Sequence, residues 1–346
     1  MAHFNRTKST GEAETAKPIV WLVFDKLPNK SGGGLAFYYD QIASLLADEI
    51  DFKLISVFRH DGTDLPGLSG KPVETIIDKN IDMHFVDFAC NFKKGGLRAI
   101  ACSVWSAVLY FCSIPIARYR ARRIINGEGA VATAPSAAIF LPKRLRFILE
   151  VHSQFEFFWG NSISGRLQTL LMSSPECIVF RTKTDAEKGR AIANSSFIYN
   201  CVADPLENKT PKTLEERKKH SVLFMGRLSR EKNPLFICDI VPKILEHCKD
   251  LSVDVFGDGP LKDDLALAIS ESSLSDSISL RGFTNEKHIF NDYDQLWITS
   301  DIEGFPLSAI EAMACGTPII STHWGDGAEE VLGIGYNAIC DTKNDF

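Results

Sequence analysis

The chain has 346 residues, of which 45% are hydrophobic, 24% charged and 10% aromatic, and its formal net charge is −6. This composition excludes disordered, collagenous and low-complexity classes, and the length suits about two domains, each able to bury its own core. The mild net charge argues against bulk nucleic-acid binding. It conceals a split, however: residues 1–200 carry 24 Lys and Arg against 19 Asp and Glu, whereas residues 201–346 carry 14 against 25. Halves of opposite sign predict two domains with different partners.

Residues 1–17 are polar and lack the apolar core of a signal peptide, so they read as a disordered tail. The nine cysteines include no C-x-x-C pair and no zinc-type His/Cys spacing. Free thiols in a reducing, cytoplasmic compartment are expected.

Residues 18–24 form a continuous apolar run that ends at Asp25, as a buried parallel strand does. A turn-rich loop containing Ser31, Gly32, Gly33 and Gly34 follows. Leu35, Tyr39, Ile42 and Leu46 then mark one face of a helix, and residues 52–58 predict a second strand. This opening is that of a doubly wound sheet. Further strands are expected at 83–88, 130–134, 146–151, 177–180 and 197–200. Residues 206–220 are highly charged and read as a linker between an N-terminal domain at 18–205 and a C-terminal domain at 221–346. The second half restarts the pattern, with strands at 222–225, 253–256, 296–299 and 318–321 and helices at 234–247 and 307–314. The fold expected is α/β: two tandem Rossmann-like doubly wound domains facing each other across a cleft, with ligand at the carboxyl ends of their strands.

Three segments carry candidate chemistry. In residues 300–318 a strand runs through Glu303 into a Gly-Phe-Pro turn and a helix containing Glu311. Free amides at the helix start suit phosphate, although a capped amphipathic helix would look the same. In residues 224–234 a strand ends in Gly226 and delivers Arg227 and Lys232. These cations could neutralise a diphosphate, or could form a solvated basic turn. Gly257 and Gly259 form a Gly-x-Gly turn after a strand, which fits either backbone approach to a ligand or a plain tight turn.

Together these residues resemble the retaining glycosyltransferases of GT-B fold, family four. Residues 222–341 carry the resemblance closely and the first 200 more loosely. Its most specific element is Glu303 and Glu311 in an E-x7-E arrangement, followed by Ala-Met-Ala-Cys-Gly-Thr-Pro318. The resemblance implies a nucleotide-sugar donor, UDP- or GDP-linked, held by the C-terminal domain. Arg227 and Lys232 would bind its diphosphate, Glu311 its ribose, and Glu303 would lie beside the sugar. Phe305 and Leu307 would present amides, which Pro306 cannot. In the N-terminal half, Gly32, Gly33 and Gly34 stand where the family has its glycine loop, and His152, at the end of a strand, matches a histidine that lies against the donor sugar. No essential metal or other cofactor is implied. Asp292 and Asp294 form a D-x-D, but it precedes a strand rather than following one.

Departures from the family pattern occur at Cys201 and Ala203, within an Asn-Gly-Val-Asp-like stretch, and at residues 325–330, which only approximate a Gly-x-x-Glu turn. The resemblance also implies further helices beyond Phe346. A non-catalytic nucleotide-sugar-binding or membrane-associated module lacking them is the alternative.

Residues 99–117 carry no charge, and no acidic residue occurs between Phe88 and Gly127. Arg118, Arg120, Arg122 and Arg123 follow the apolar run. The segment fits a buried core helix, an interfacial contact with an anionic membrane, or a span. Interfacial contact would suit a sugar or lipid-linked acceptor and a peripheral position on the inner membrane face. The expected activity is transfer of a sugar to an acceptor hydroxyl with retention, in polysaccharide or glycolipid synthesis.

Overall fold

A computed structural model describes residues 16–28, 34–60, 62–78, 108–159, 163–202, 204–206, 210–284, 286–333 and 337–340. Gly32, Gly33 and the strand expected at 83–88 lie outside them.

Among the described residues, the N-terminal half is a seven-stranded parallel sheet in the order β3-β2-β1-β4-β5-β6-β7. Its strands are β1 (Ile19–Phe24), β2 (Asp51–Phe58), β3 (Val73–Ile77), β4 (Gly129–Ala132), β5 (Phe147–Glu150), β6 (Cys177–Phe180) and β7 (Ser195–Phe197). The run IVWLVF shows why β1 is central. Leu22 and Phe24 pack on one face against α1 (Gly34–Leu45), with Ala36 and Tyr39. Trp21 and Val23 pack on the other, against Ile114, Ala117 and Ala121 of α2 (residues 108–125). A strand covered on both faces must be apolar at successive positions rather than at alternate ones.

The C-terminal half repeats the plan with six parallel strands in the order β10-β9-β8-β11-β12-β13. They are β8 (Lys218–Met225), β9 (Ser252–Phe256), β10 (Ile278–Gly282), β11 (Tyr293–Ile298), β12 (Ile319–Thr322) and β13 (Ala338–Cys340). Leu223 packs toward the core under α9 (Leu307–Ala314), and Val222 and Phe224 pack toward α7 (Phe236–Leu245). Helices α3 (Pro135–Ile139), α4 (Phe155–Trp159), α5 (Ile163–Leu171), α6 (Lys183–Gly189), α8 (Lys262–Glu271) and α10 (Gly327–Leu332) add to the layers.

Two expectations need correction. The strand expected at 197–200 is β7 at Ser195–Phe197, because Tyr199 and Asn200 are instead turned to the C-terminal domain. The charged segment read as a linker up to 220 ends earlier, since β8 starts at Lys218 with three exposed polar residues. Within it Arg217 is buried, and its guanidinium donates to the carbonyls of Cys315 (2.9 Å) and Gly316 (3.1 Å) and to Thr317 Oγ1 (2.7 Å). That arginine ties the end of α9 to the start of the domain, as a cation at a helix C-terminus does.

Candidate active site

The strand order of each sheet reverses at one place, between β1 and β4 in one half and between β8 and β11 in the other. A crevice opens outside the carboxyl ends at such a switch point. The end of β8 leads into Gly226, Arg227 and a short 3-10 turn, Arg230–Lys232. The end of β11 leads into Ser300 and Glu303. Lys232 Nζ lies 2.6 Å from both carboxylate oxygens of Glu303, and Ser300 donates to Glu303 Oε1 at 2.7 Å. The Glu303 side chain is 8% exposed and that of Lys232 is 28% exposed. The ammonium is thus paired on one side and open on another. Thr299 and Asn233 bind the two loops together, through the Lys232 carbonyl (2.9 Å) and Asp301 (3.2 Å). Arg227 is exposed at the same strand end.

Gly257 and Gly259 serve this site indirectly. A Cβ on Gly257 would lie 1.9 Å from the Gly226 carbonyl oxygen, and one on Gly259 would lie 2.5 Å from that of Leu228. Leu228 N donates to Asp258 O (2.9 Å) and Leu261 N to Leu228 O (2.9 Å). The second glycine turn therefore packs closely on the Gly226–Leu228 backbone.

The Gly-Phe-Pro turn delivers α9 with Pro306 at its N-cap and no side-chain cap. The amides of Leu307 and Ser308 have no intrahelical acceptor, as at any helix start. Phe305 is buried, and Asn200 Nδ2 donates to its carbonyl at 3.1 Å. Glu311 is buried on the same helix as Ala309 and Ala312. Asp292 and Asp294 fall at the opposite, amino end of β11, where Asp292 pairs with Lys212.

The N-terminal domain meets this crevice through His152, just past β5. A Cβ on Gly304 would lie 2.1 Å from the His152 carbonyl oxygen, so the residue after Glu303 is pressed against the histidine backbone. Around the ring, Arg181 Nη2 lies 2.9 Å, Tyr39 Oη 3.2 Å and Glu150 Oε2 3.3 Å from Nε2. Burial pushes His152 down to about 4, with the Arg181 charge adding to the effect against the opposing pull of Glu150. The imidazole is neutral at physiological pH. Burial would raise Glu150, but the Arg181 charge at 2.8 Å and the Tyr39 hydroxyl at 2.7 Å help hold it below its ordinary value.

A latch lies beside the cleft. Glu330, on α10, accepts from the amides of Lys183 (2.6 Å) and Thr184 (3.0 Å) at the start of α6, and from the hydroxyls of Thr184 (2.9 Å) and Tyr199 (2.8 Å). Burial would raise this carboxyl; the four donors outweigh it and lower it instead. Lys188 joins Asp326 (2.6 Å) to Glu156, and Gln154 donates to the Trp324 carbonyl. Sequence reasoning missed the parts played by Tyr39, Glu150, Arg181 and Arg217, of which only the E-x-H placement of Glu150 beside His152 gave a local signal; Glu330 lay in the Gly-x-x-Glu-like stretch, which gave no sign of its contact with α6.

Of the four arginines on α2, Arg118 is turned inward. It donates to the carbonyls of Ile139 (3.0 Å) and Leu171, and burial lowers it. Arg120 bonds the Ile76 carbonyl, Arg123 stacks on Tyr119, and Arg122 lines a cavity of about 480 Å³ with Lys143, Arg144 and Arg146. Among the described residues no helix is long and apolar enough to cross a membrane. Residues 99–107 of the apolar run lie outside them.

Two parallel-sheet α/β domains with opposed strand ends define the GT-B glycosyltransferase fold. Residues 207–345 match the family model described as "Glycosyl transferases group 1". Among solved structures, Anabaena HepE in complex with UDP and glucose superposes with a TM-score of 0.66 at 17% identity, covering 94% of this chain and 86% of that one. The lipopolysaccharide outer core galactosyltransferase WaaB superposes at 0.63 and 15%, covering 95% and 88%. A human relative, one of the subunits of phosphatidylinositol N-acetylglucosaminyltransferase, is 28% identical over 251 residues, which is 68% of this chain and 51% of the relative. A Campylobacter jejuni N-acetylgalactosaminyltransferase, whose name gives a diphospho-undecaprenol acceptor, is 30% identical over 140 residues, or 40% of this chain and 37% of the relative. The chain thus spans between about a third and about half of the length of these curated relatives.

Proposed function

We propose that the chain is a retaining glycosyltransferase of family four, transferring a hexose or its N-acetyl derivative from a UDP- or GDP-sugar to an acceptor hydroxyl. The observation that supports this most is the Lys232–Glu303 pair at the C-terminal switch point, with His152 brought up from the opposite domain. The donor diphosphate would lie on Arg227, Lys232 and the amides of Phe305 and Leu307. As the glycosidic bond breaks, charge accumulates on the diphosphate. Arg227 and Lys232 would offset it, the part a metal ion plays elsewhere, so no metal or other cofactor is assigned. Lys232 carries three N–H donors, of which Glu303 engages two, leaving one for a phosphate oxygen. Glu303 would lie beside the sugar, where its carboxylate would stabilise an oxocarbenium-like transition state while the acceptor attacks the face the diphosphate leaves. Glu311 would take the ribose.

The acceptor would come from a sugar or a lipid-linked saccharide, in cell-surface polysaccharide or glycolipid synthesis on the cytoplasmic side. The outer face of α2 supports a peripheral contact with an anionic bilayer. Val108, Phe111, Ile116 and Tyr119 are exposed along it, and Arg120, Arg122 and Arg123 continue the same surface.

The test is nucleotide release from UDP-, GDP- and ADP-sugars, with and without a lipid extract, followed by NMR of the product anomer. Acceptor-dependent release from one donor with a retained anomer is expected. Donor binding without turnover would favour a non-catalytic nucleotide-sugar module, and an inverted anomer would refute retention.

A further inference from the structure

Behind His152 lies a charged cluster to which the donor-binding reading gives no part. Arg181 follows β6, its side chain is 1% exposed, and it lies over the Tyr38 ring at 4.6 Å. Its Nη2 is 2.8 Å from Glu150 Oε2 and 2.9 Å from His152 Nε2, while Tyr39 donates to the same carboxylate oxygen at 2.7 Å. A guanidinium nitrogen has no lone pair to offer and can only donate. Contact at 2.9 Å therefore requires a free lone pair on Nε2. A histidine beside a carboxylate ordinarily directs its N–H at the acid, but here Arg181 Nη2, with two hydrogens, reaches both acceptors and Glu150 is the more distant neighbour of the ring, at 3.3 Å. The ring proton is left on Nδ1.

We infer that Arg181 is a positioning residue that fixes His152 as the neutral Nδ1–H tautomer, so that the ring offers a hydrogen bond to an oxygen in the cleft and cannot take up a proton through Nε2. That the oxygen belongs to a donor sugar rests on the transferase reading; the tautomer does not. The charged and titratable groups facing the ring are Glu150 from β5, Arg181 from the end of β6, and Tyr38 and Tyr39 from α1. Glu303, with its partner Lys232, stands next to Gly304 against the histidine backbone. Removing the Arg181 cation leaves Glu150 as the charged group nearest the ring. The carboxylate then draws the proton to Nε2 and favours imidazolium.

The experiment is nitrogen-15 NMR of the full chain labelled at histidine, with His152 assigned by its loss in His152→Gln, alongside the pH profile of kcat/KM. The wild type is expected to show the Nδ1–H pattern from about pH 9 to about pH 5.5, with no acidic limb from this residue. Arg181→Met should move His152 to the Nε2–H or doubly protonated pattern and introduce an acidic limb. It should also lower kcat/KM near neutrality by about tenfold, the worth of one misdirected hydrogen bond. Arg181→Lys, which can still donate, should retain the wild-type pattern. An Nε2–H tautomer in the wild type overturns the inference, whether or not Arg181→Met folds. So does an Arg181→Met protein with unchanged spectrum and profile. Absence of turnover with any donor, with the Nδ1–H pattern intact, would count against the transferase reading and not against this one.

Discussion

Lys232 and Glu303 can be separated by a double-mutant cycle, because their structural and chemical roles predict different outcomes. In Lys232→Met the Glu303 carboxylate, 8% exposed, keeps the Ser300 hydroxyl as a donor at 2.7 Å. Breaking a fully buried pair costs about 3–5 kcal/mol. Lys232 is 28% exposed, which screens the pair, so about 2–3 kcal/mol is expected in urea unfolding of the variant. Glu303→Gln leaves an ammonium that water can still reach and should cost less, about 1 kcal/mol. The double variant removes both charges and should be more stable than the sum of its parts by about 1–2 kcal/mol. Activity should not follow stability. Nucleotide release should fall about a hundredfold or more in both single variants and stay low in the double, as expected when positioned charges at a reaction centre are lost. Strict additivity in unfolding would refute the ion-pair argument. Recovery of turnover in the double variant would show that the pair is scaffold only.

Three further outcomes follow from the geometry. Glu330→Ala removes the acceptor for four donors and should loosen the domains, read as faster hydrogen exchange at Lys183 and Thr184; unchanged exchange would refute the latch. Asp25, at the N-terminal switch point, has a buried Oδ1 with no hydrogen-bond partner among the described residues, and burial raises the carboxyl to about 6 despite the Ser136 bond. A raised acid favours the folded state below its unfolded value, 3.8, and that contribution is lost as pH climbs through 6. Asp25→Asn should therefore stabilise the protein above about pH 7, by on the order of 3 kcal/mol, with the gain vanishing toward about pH 4; a pH-independent difference in urea midpoint would refute this. Replacing Arg120, Arg122 and Arg123 with Gln should weaken binding to phosphatidylglycerol vesicles at low salt, whereas Arg118→Gln should cost stability instead, since Arg118 holds the Ile139 carbonyl. Equal vesicle binding by the triple variant would remove the membrane reading.

The sequence alone determined the elements whose signal is local. The apolar run of β6, Cys177–Phe180, and the helix Leu307–Ala314 were legible to the residue, because a strand covered on both faces is continuously apolar and a helix start after Pro306 is marked by its chain chemistry. The positions of Arg227, Lys232, Glu303 and His152 beyond strand ends were legible for the same reason, since each follows a readable strand, whereas the roles expected of them came from the family resemblance. The strands β3, β10 and β13 went unread, since five residues or fewer at or near a sheet edge leave little pattern. The exposed Lys-Lys-His start of β8 looked like linker, because charge is all a solvated strand end shows. Only tertiary structure decided what Arg181, Arg217 and Glu330 do. Each is a charged side chain whose meaning is the set of carbonyls, amides or rings it meets, and apart from the Lys212 carbonyl, five residues from Arg217, those partners lie between 17 and 147 residues away. It likewise decided that the Gly257 turn supports another loop and that Glu303 holds Lys232 across 71 residues, because register and strand order bring distant chain together where no local spacing encodes it.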